Sequence, residues 1–167
     1  MINKFSILDS KLVVIKVGSS LLFNNHKFDY VWLDSFAKEI KYLRERKVNV
    51  LLVASGAVSL GKKYLDIKDF KILKINEKQA CASCGQNTLM QNFIKSFKKQ
   101  KIKVSQILLT FSEIEDRKKN LNVRETINTL LEYGVIPVIN ENDSVATDEL
   151  KFGDNDRLAA IVAQISD

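Results

Sequence analysis

Short apolar runs rich in β-branched residues alternate with longer stretches of helical periodicity along this chain, and that alternation restricts its possible folds more than any other feature. Leu12–Val17 is such a run, and residues 29–46 follow it with Leu33, Phe36, Ile40 and Leu43 on one helical face. Residues 48–54 form a second apolar run. Residues 76–99 read as a long helix with Met90, Phe93, Ile94 and Phe97 on one side, and residues 102–109 as a third strand. A helix over 118–133, with Val123, Ile127, Leu130 and Leu131 facing inward, ends ahead of Gly134, and residues 135–139 make the fourth strand. After a polar loop at 140–153, Leu158, Ile161, Val162 and Ile165 mark a last helix whose first turn holds Asp154, Asn155 and Asp156.

Strands that are apolar on both faces and separated by helices pair in parallel, with helices on both sides of one sheet. The fold class is therefore α/β, a three-layer α/β/α sandwich with a mainly parallel sheet. In such sheets ligands sit beyond the carboxyl ends of the strands, which singles out residues 18–20, 55–61, 110–116 and 140–156. No internal repeat, low-complexity tract or linker interrupts the chain, which reads as a single domain over residues 1–167.

With 46% hydrophobic and 28% charged residues the chain has material for one core. No apolar run approaches the roughly 20 residues of a bilayer span, and residues 1–10 lack the parts of a signal peptide, so a cytoplasmic protein without membrane contact is expected. Cys81 and Cys84 fall inside a helix without a second pair, which makes them packing residues. His26 follows Asn24 and Asn25 in a polar loop and reads as solvated. The net charge of +6 is uneven: residues 141–167 carry seven acids against Lys151 and Arg157, a balance of −5, which leaves +11 on residues 1–140. The basic run Lys95, Lys98, Lys99, Lys101 and Lys103 suits the carboxyl end of a helix, and no nucleic acid partner is expected.

Four stretches carry chemistry. Lys16-Val17-Gly18-Ser19-Ser20 sets a lysine near a strand end ahead of a small-residue turn whose amides can approach an anion unobstructed. A lysine in an apolar strand is costly unless its ammonium meets an anion, so Lys16 is either a functional cation or an edge residue snorkelling to solvent. Ala54-Ser55-Gly56-Ala57 repeats the small-residue pattern before another helix. It is either a carboxylate or phosphate cradle or simply a tight turn. The same region mimics a P-loop, Gly56-Ala57-Val58-Ser59-Leu60-Gly61-Lys62, but Lys63 stands where a serine or threonine hydroxyl is required, and Val58 and Leu60 suit a helix face. Ile139-Asn140-Glu141-Asn142-Asp143-Ser144-Val145 and Gly153-Asp154-Asn155-Asp156-Arg157-Leu158 crowd acids and amides at one edge, which suits magnesium or a substrate ammonium, while Asp154 also suits a helix cap. Neither has calcium-loop spacing, and no residue is assigned as a protein metal ligand.

In this order and at these intervals the four stretches resemble the glutamate 5-kinases of the amino acid kinase family, over all 167 residues. Gly85-Gln86, and Leu109-Thr110 with Asp116-Arg117 and Asn120, share the likeness. The resemblance implies an amino acid kinase-like fold and ATP- and Mg2+-dependent phosphorylation of the side-chain carboxylate of L-glutamate to γ-glutamyl phosphate, the first step toward proline. It implies that Lys16 contacts the transferred phosphoryl group, that the amides at Gly18 and Ser19 assist on the nucleotide side, and that Asp154 organises Lys16. Ser55, Asp143 and Asn155 become glutamate ligands, with Gly56 and Asp156 shaping the same pocket. Relatives acting on aspartate, N-acetylglutamate or UMP share the first lysine but have different acidic loops. The family also implies a homo-oligomer and L-proline as feedback inhibitor. A carboxylate acceptor with a reference pKa near 4.3 is already ionised at pH 7, so the reaction needs no general base. The family continues past the helix that ends near Asp167 with a half that supplies most of the nucleotide site, including a second lysine and a glycine-rich loop. The chain is thus expected to be the substrate-binding amino-terminal part of a kinase domain; the alternatives are a non-catalytic domain that senses glutamate or another amino acid, and a kinase of the same family with another acceptor.

Overall fold

The alternation of apolar runs and amphipathic segments resolves into a sheet covered on both faces. The computed structural model describes residues 6–68, 71–145 and 155–166. Its principal elements are β1 (Leu12–Val17), α1 (Ser19–Leu22), β2 (Phe23–Asn24), β3 (Lys27–Phe28), α2 (Tyr30–Glu45), β4 (Asn49–Ala54), α3 (Ala57–Tyr64), α4 (Ile75–Lys99), β5 (Lys103–Leu109), α5 (Phe111–Glu115), α6 (Arg117–Glu132), β6 (Val135–Glu141) and α7 (Asn155–Ile165). Four strands form one parallel sheet in the order β1-β4-β6-β5, and β2 and β3 form a separate antiparallel hairpin.

Strand residues alternate between two cores, as the pleat requires. Val17, Val50, Leu52, Ala54, Ile136 and Val138 face α2, α3 and α4, where Leu33, Ile40, Leu89, Phe93 and Phe97 meet them. Leu51, Val53, Leu109 and Ile139 face the other way, against Phe111 and Ile114 of α5, Ile127 of α6, and Leu158 and Val162 of α7. One inward assignment fails: Ile94 is 48% exposed, because α4 buries the stripe through Leu89, Met90, Asn92, Phe93, Ser96 and Phe97 and Ile94 lies off it.

Local chemistry sets the element ends. Asp29 caps α2 by accepting from the Trp32 amide at 2.8 Å, and Asp116 caps α6 by accepting from Lys119 at 2.9 Å. Gly134, just past α6, has φ +69, the left-handed turn its position suggested. Helices α3 and α4 come into backbone contact at two glycines. A Cβ on Gly61 would collide with the Cys81 carbonyl, and one on Gly85 with the Ala57 carbonyl. Those two bare positions let the first turn of α3 sit against the middle of α4.

The chain moves across the sheet from β1 through β4 to β5, then reverses to β6, and the covering helices change face with it. Adjacent strands β4 and β6 therefore send the chain onto opposite faces, to α3 and to α7. Such a reversal opens a crevice at the carboxyl ends of the two strands.

Candidate active site

A cavity of about 310 Å³ occupies that crevice, lined by Ser19, Ser55, Gly56, Ala57, Val58, Ser59, Lys78, Asn140, Asp143 and Asn155. Its volume suits a small metabolite, at the low end of the range for ligand pockets. Gly56 opens α3 with φ +107, a backbone conformation that residues with a side chain rarely adopt, and Ala57, Val58 and Ser59 of the first helical turn line the cavity. Those first-turn N–H groups have no acceptor within their own helix, so an anion is their natural partner.

Asn155, the first residue of α7, is 4% exposed and donates from Nδ2 to Ser55 Oγ at 2.6 Å. Its Oδ1 is buried with no partner among the described residues, an acceptor held at the cavity wall. Burial, and secondarily the neighbouring Glu141 carboxylate, push the Asp143 carboxyl up to about 6. An arriving cation would relieve both effects. Asn140, 3% exposed, donates to Gln86 Oε1 at 2.9 Å and accepts from the Glu141 amide at 2.9 Å.

Lys16 stands beside this cavity and does not line it. It lies on the β1 edge, where its Nζ reaches back over Gly18 and pairs with Asp156 at 3.1 Å, both side chains partly in solvent. A Cβ placed on Gly18 would stand 3.4 Å from that ammonium, so the missing side chain leaves a shelf next to a positive charge. Of the residues singled out from the sequence, Ser19, Ser55, Gly56, Asp143 and Asn155 share the cavity, while Lys16, Gly18 and Asp156 gather next to it. Asp154 lies outside the described residues. Ser59, read only as part of the P-loop mimic, also lines the cavity, as does Lys78, which carried no motif; Lys78 shares a helical stripe with Gln86, at i and i+8 on α4, which the periodicity of that helix could have revealed.

The P-loop reading fails on geometry. Helix α3 begins at Ala57, immediately after the first glycine, and Lys62 lies in its last turn, where Nζ donates to the Lys71 carbonyl at 2.9 Å. Cys81 is buried and Cys84 half-buried, both as free thiols, and His26 sits exposed in the β2–β3 turn. Among the described residues no helix is long and apolar enough to cross a membrane, and no group of three or more His, Cys, Asp or Glu side chains is placed to hold a metal ion.

Residues 11–166 match the model of the amino acid kinase family. The chain is 50% identical over 159 residues to a glutamate 5-kinase of Pelagibacter ubique (strain HTCC1062), covering 95% of this chain and 43% of that protein. It is 45% identical over 156 residues to a glutamate 5-kinase of Desulfotalea psychrophila, covering 93% and 42%. Among solved structures, UMP kinase from Ureaplasma parvum superposes with a TM-score of 0.61 at 16% identity, over 94% of this chain and 65% of that one. The last is a likeness of fold. The chain spans about two fifths of the length of the curated relatives it matches.

Proposed function

Since the chain belongs to the amino acid kinase family, we propose that it is the acceptor-binding part of an ATP-dependent kinase that phosphorylates the side-chain carboxylate of L-glutamate. The observation that carries this reading is the Ser55–Asn155 bond across the crevice, which leaves Asn155 Oδ1 buried and without a partner among the described residues, in the same cavity as Asp143. An acceptor oxygen and an acid in one small cavity call for an ammonium. Lys78 and the first amides of α3, in the same cavity, call for carboxylate. An acidic amino acid carries both groups. The relatives named glutamate 5-kinase support glutamate among such acids.

The residues next to the cavity fit the phosphoryl donor. Lys16 Nζ lies over the bare backbone of Gly18, where a phosphate oxygen can approach both the ammonium and the backbone amides. Lys16, with the amides at Gly18 and Ser19, would hold the terminal phosphates of ATP, with Asp156 as the lysine's partner at 3.1 Å. Magnesium characteristically binds phosphates with one or two carboxylates, and it would supply charge neutralisation there. The acceptor carboxylate attacks the γ-phosphorus as an anion, the new O–P bond forms, and the bond to ADP breaks. No proton moves, so the protein's task is to align two anions and offset their repulsion. The reading includes an enzyme of the cytoplasm, assembly from identical subunits, and L-proline, which shares the α-carboxylate and ammonium, as an inhibitor at the same cavity.

The test is ADP release by the full gene product with ATP and magnesium, comparing L-glutamate, L-aspartate, N-acetylglutamate and UMP, with hydroxylamine to trap an acyl phosphate. Glutamate-dependent ADP and trapped hydroxamate are expected. Turnover confined to another acceptor would refute the choice of glutamate, and glutamate binding without any turnover would make this a sensing domain.

A further inference from the structure

Gln86 lies in the middle of α4, 8% exposed, and does not line the cavity. Its Oε1 nevertheless receives the Asn140 Nδ2 hydrogen bond at 2.9 Å, a buried contact between residues 54 positions apart. Asn140 Oδ1 then accepts the backbone N–H of Glu141 at 2.9 Å. The next amide, Asn142, donates to the Leu109 carbonyl at 2.8 Å, and Val145 donates to the Asn142 carbonyl at 3.1 Å, closing the turn that contains Asp143. Two linked hydrogen bonds thus run from the core of α4 to the backbone at Glu141, and two separate backbone bonds hold the turn that follows it and bears the cavity's acid.

A side-chain amide has a donor end and an acceptor end of nearly equal size, so shape alone does not orient it. The Gln86 carbonyl breaks that symmetry: it engages Asn140 Nδ2 and thereby turns Oδ1 toward the Glu141 N–H. Gln86 Nε2 is buried without a partner among the described residues, a cost that a methionine or leucine filling the same space would avoid. What the glutamine supplies that those residues lack is its acceptor.

We infer that Gln86 is a positioning residue for the acceptor site: it orients the Asn140 amide, which holds the start of the acidic turn and so sets where Asp143 meets the ammonium of the amino acid. The inference rests on the glutamate kinase reading for its substrate, but its structural half does not. Gln86→Met keeps the length and removes the acceptor. Gln86→Glu, buried and protonated, keeps a carbonyl oxygen in place.

The experiment uses the full gene product, with glutamate kinetics, glutamate calorimetry and amide hydrogen exchange on Gln86→Met, Gln86→Glu, Asn140→Ala and the Gln86→Met/Asn140→Ala double variant. In Gln86→Met the KM and Kd for glutamate rise roughly five- to tenfold, the worth of one neutral hydrogen bond, and kcat stays within about twofold. Gln86→Glu restores affinity to within about threefold of the parent. On the Asn140→Ala background Gln86→Met has no additional effect, as expected when one residue acts through the other. Exchange at the Glu141 amide accelerates in Gln86→Met with no ligand present. Equal effects of Gln86→Met in both backgrounds, or an unchanged KM with full protection at Glu141, would overturn the positioning role. A parent protein that turns over no glutamate, while Glu141 exchange still responds to Gln86→Met, would remove the kinase reading and leave the positioning role standing.

Discussion

Replacing Gly85 by alanine tests the packing that holds the cavity rim in place. On helix propensity alone the change is favourable by about 1 kcal/mol, since alanine is the better helix former. The structure predicts the opposite outcome. A Cβ on Gly85 would lie 2.5 Å from the Gly61 amide nitrogen and closer still to the Ala57 carbonyl, while ordinary contact begins near 3.4 Å, so α3 must move away by about 0.9 Å or more. The obstruction is backbone on both sides, and no rotamer change can relieve it. Overpacking of this kind costs roughly 1–3 kcal/mol, and a clash against backbone belongs at the upper end or beyond. After subtracting the propensity gain, the net loss is about 2 kcal/mol or more, which for a domain of this size is a fall of roughly 4–8 °C in Tm. Ala57 also opens the helix whose first turn rims the cavity, so the same displacement loosens acceptor binding. Thermal denaturation and glutamate calorimetry on the full gene product measure both effects. A Gly85→Ala protein with an unchanged or higher Tm would show that α3 and α4 do not meet at these two glycines.

Three further outcomes are expected. Asp143 carries a carboxyl raised from the ordinary 3.8 to about 6, so the folded protein retains a proton there that the unfolded chain releases; stability is lost as pH rises through that window, whereas attraction for an ammonium is gained. The kcat/KM for glutamate should therefore fall about tenfold per pH unit below about 6, with the inflection absent in Asp143→Asn, and a flat profile down to about pH 5 would count against Asp143 as the ammonium's partner. Lys16→Ala should lower kcat by a factor on the order of 100 to 1,000 with glutamate affinity by calorimetry nearly intact, and an equal loss of binding would move Lys16 into the acceptor pocket. Lys62→Ala should leave the KM for ATP within about twofold, since Lys62 is tied to the Lys71 carbonyl at the far end of α3; a nucleotide-binding defect would revive the P-loop reading.

The strands and long helices were legible because their pattern is local. Leu12–Val17 agrees residue for residue with β1; Asp29, read as the first residue of its helix, is the cap of α2, and α6 begins at Arg117 behind an Asp116 cap, one residue ahead of the start read at 118. Ile94 was misassigned because a helical stripe drifts, and the choice between Ile94 and its neighbour Phe93 is made by what packs opposite. Helix α3 had a start signal and the apolar pair Val58 and Leu60 but no readable end, and its internal Gly61 argues against a helix until α4 is known to lie against it. The small-residue turns and acidic loops pointed to the edge of the sheet where the cavity lies, because that edge follows from strand polarity. The sequence held no local sign that Asp156 would take Lys16 as its partner, or that Lys78 of α4 would enter the cavity. Both depend on how helices from distant parts of the chain dock.

The Ser55–Asn155 hydrogen bond joins positions 100 residues apart. At a ribosomal pace of roughly 5–20 residues per second, the Ser55 wall of the cavity is made about 5–20 seconds before Asn155 exists to face it. Until then the growing polypeptide has half a pocket and nothing for an amino acid to bridge. A metabolite able to touch both walls would clasp α7 against β1 and β4, stabilising the closed pocket by its binding.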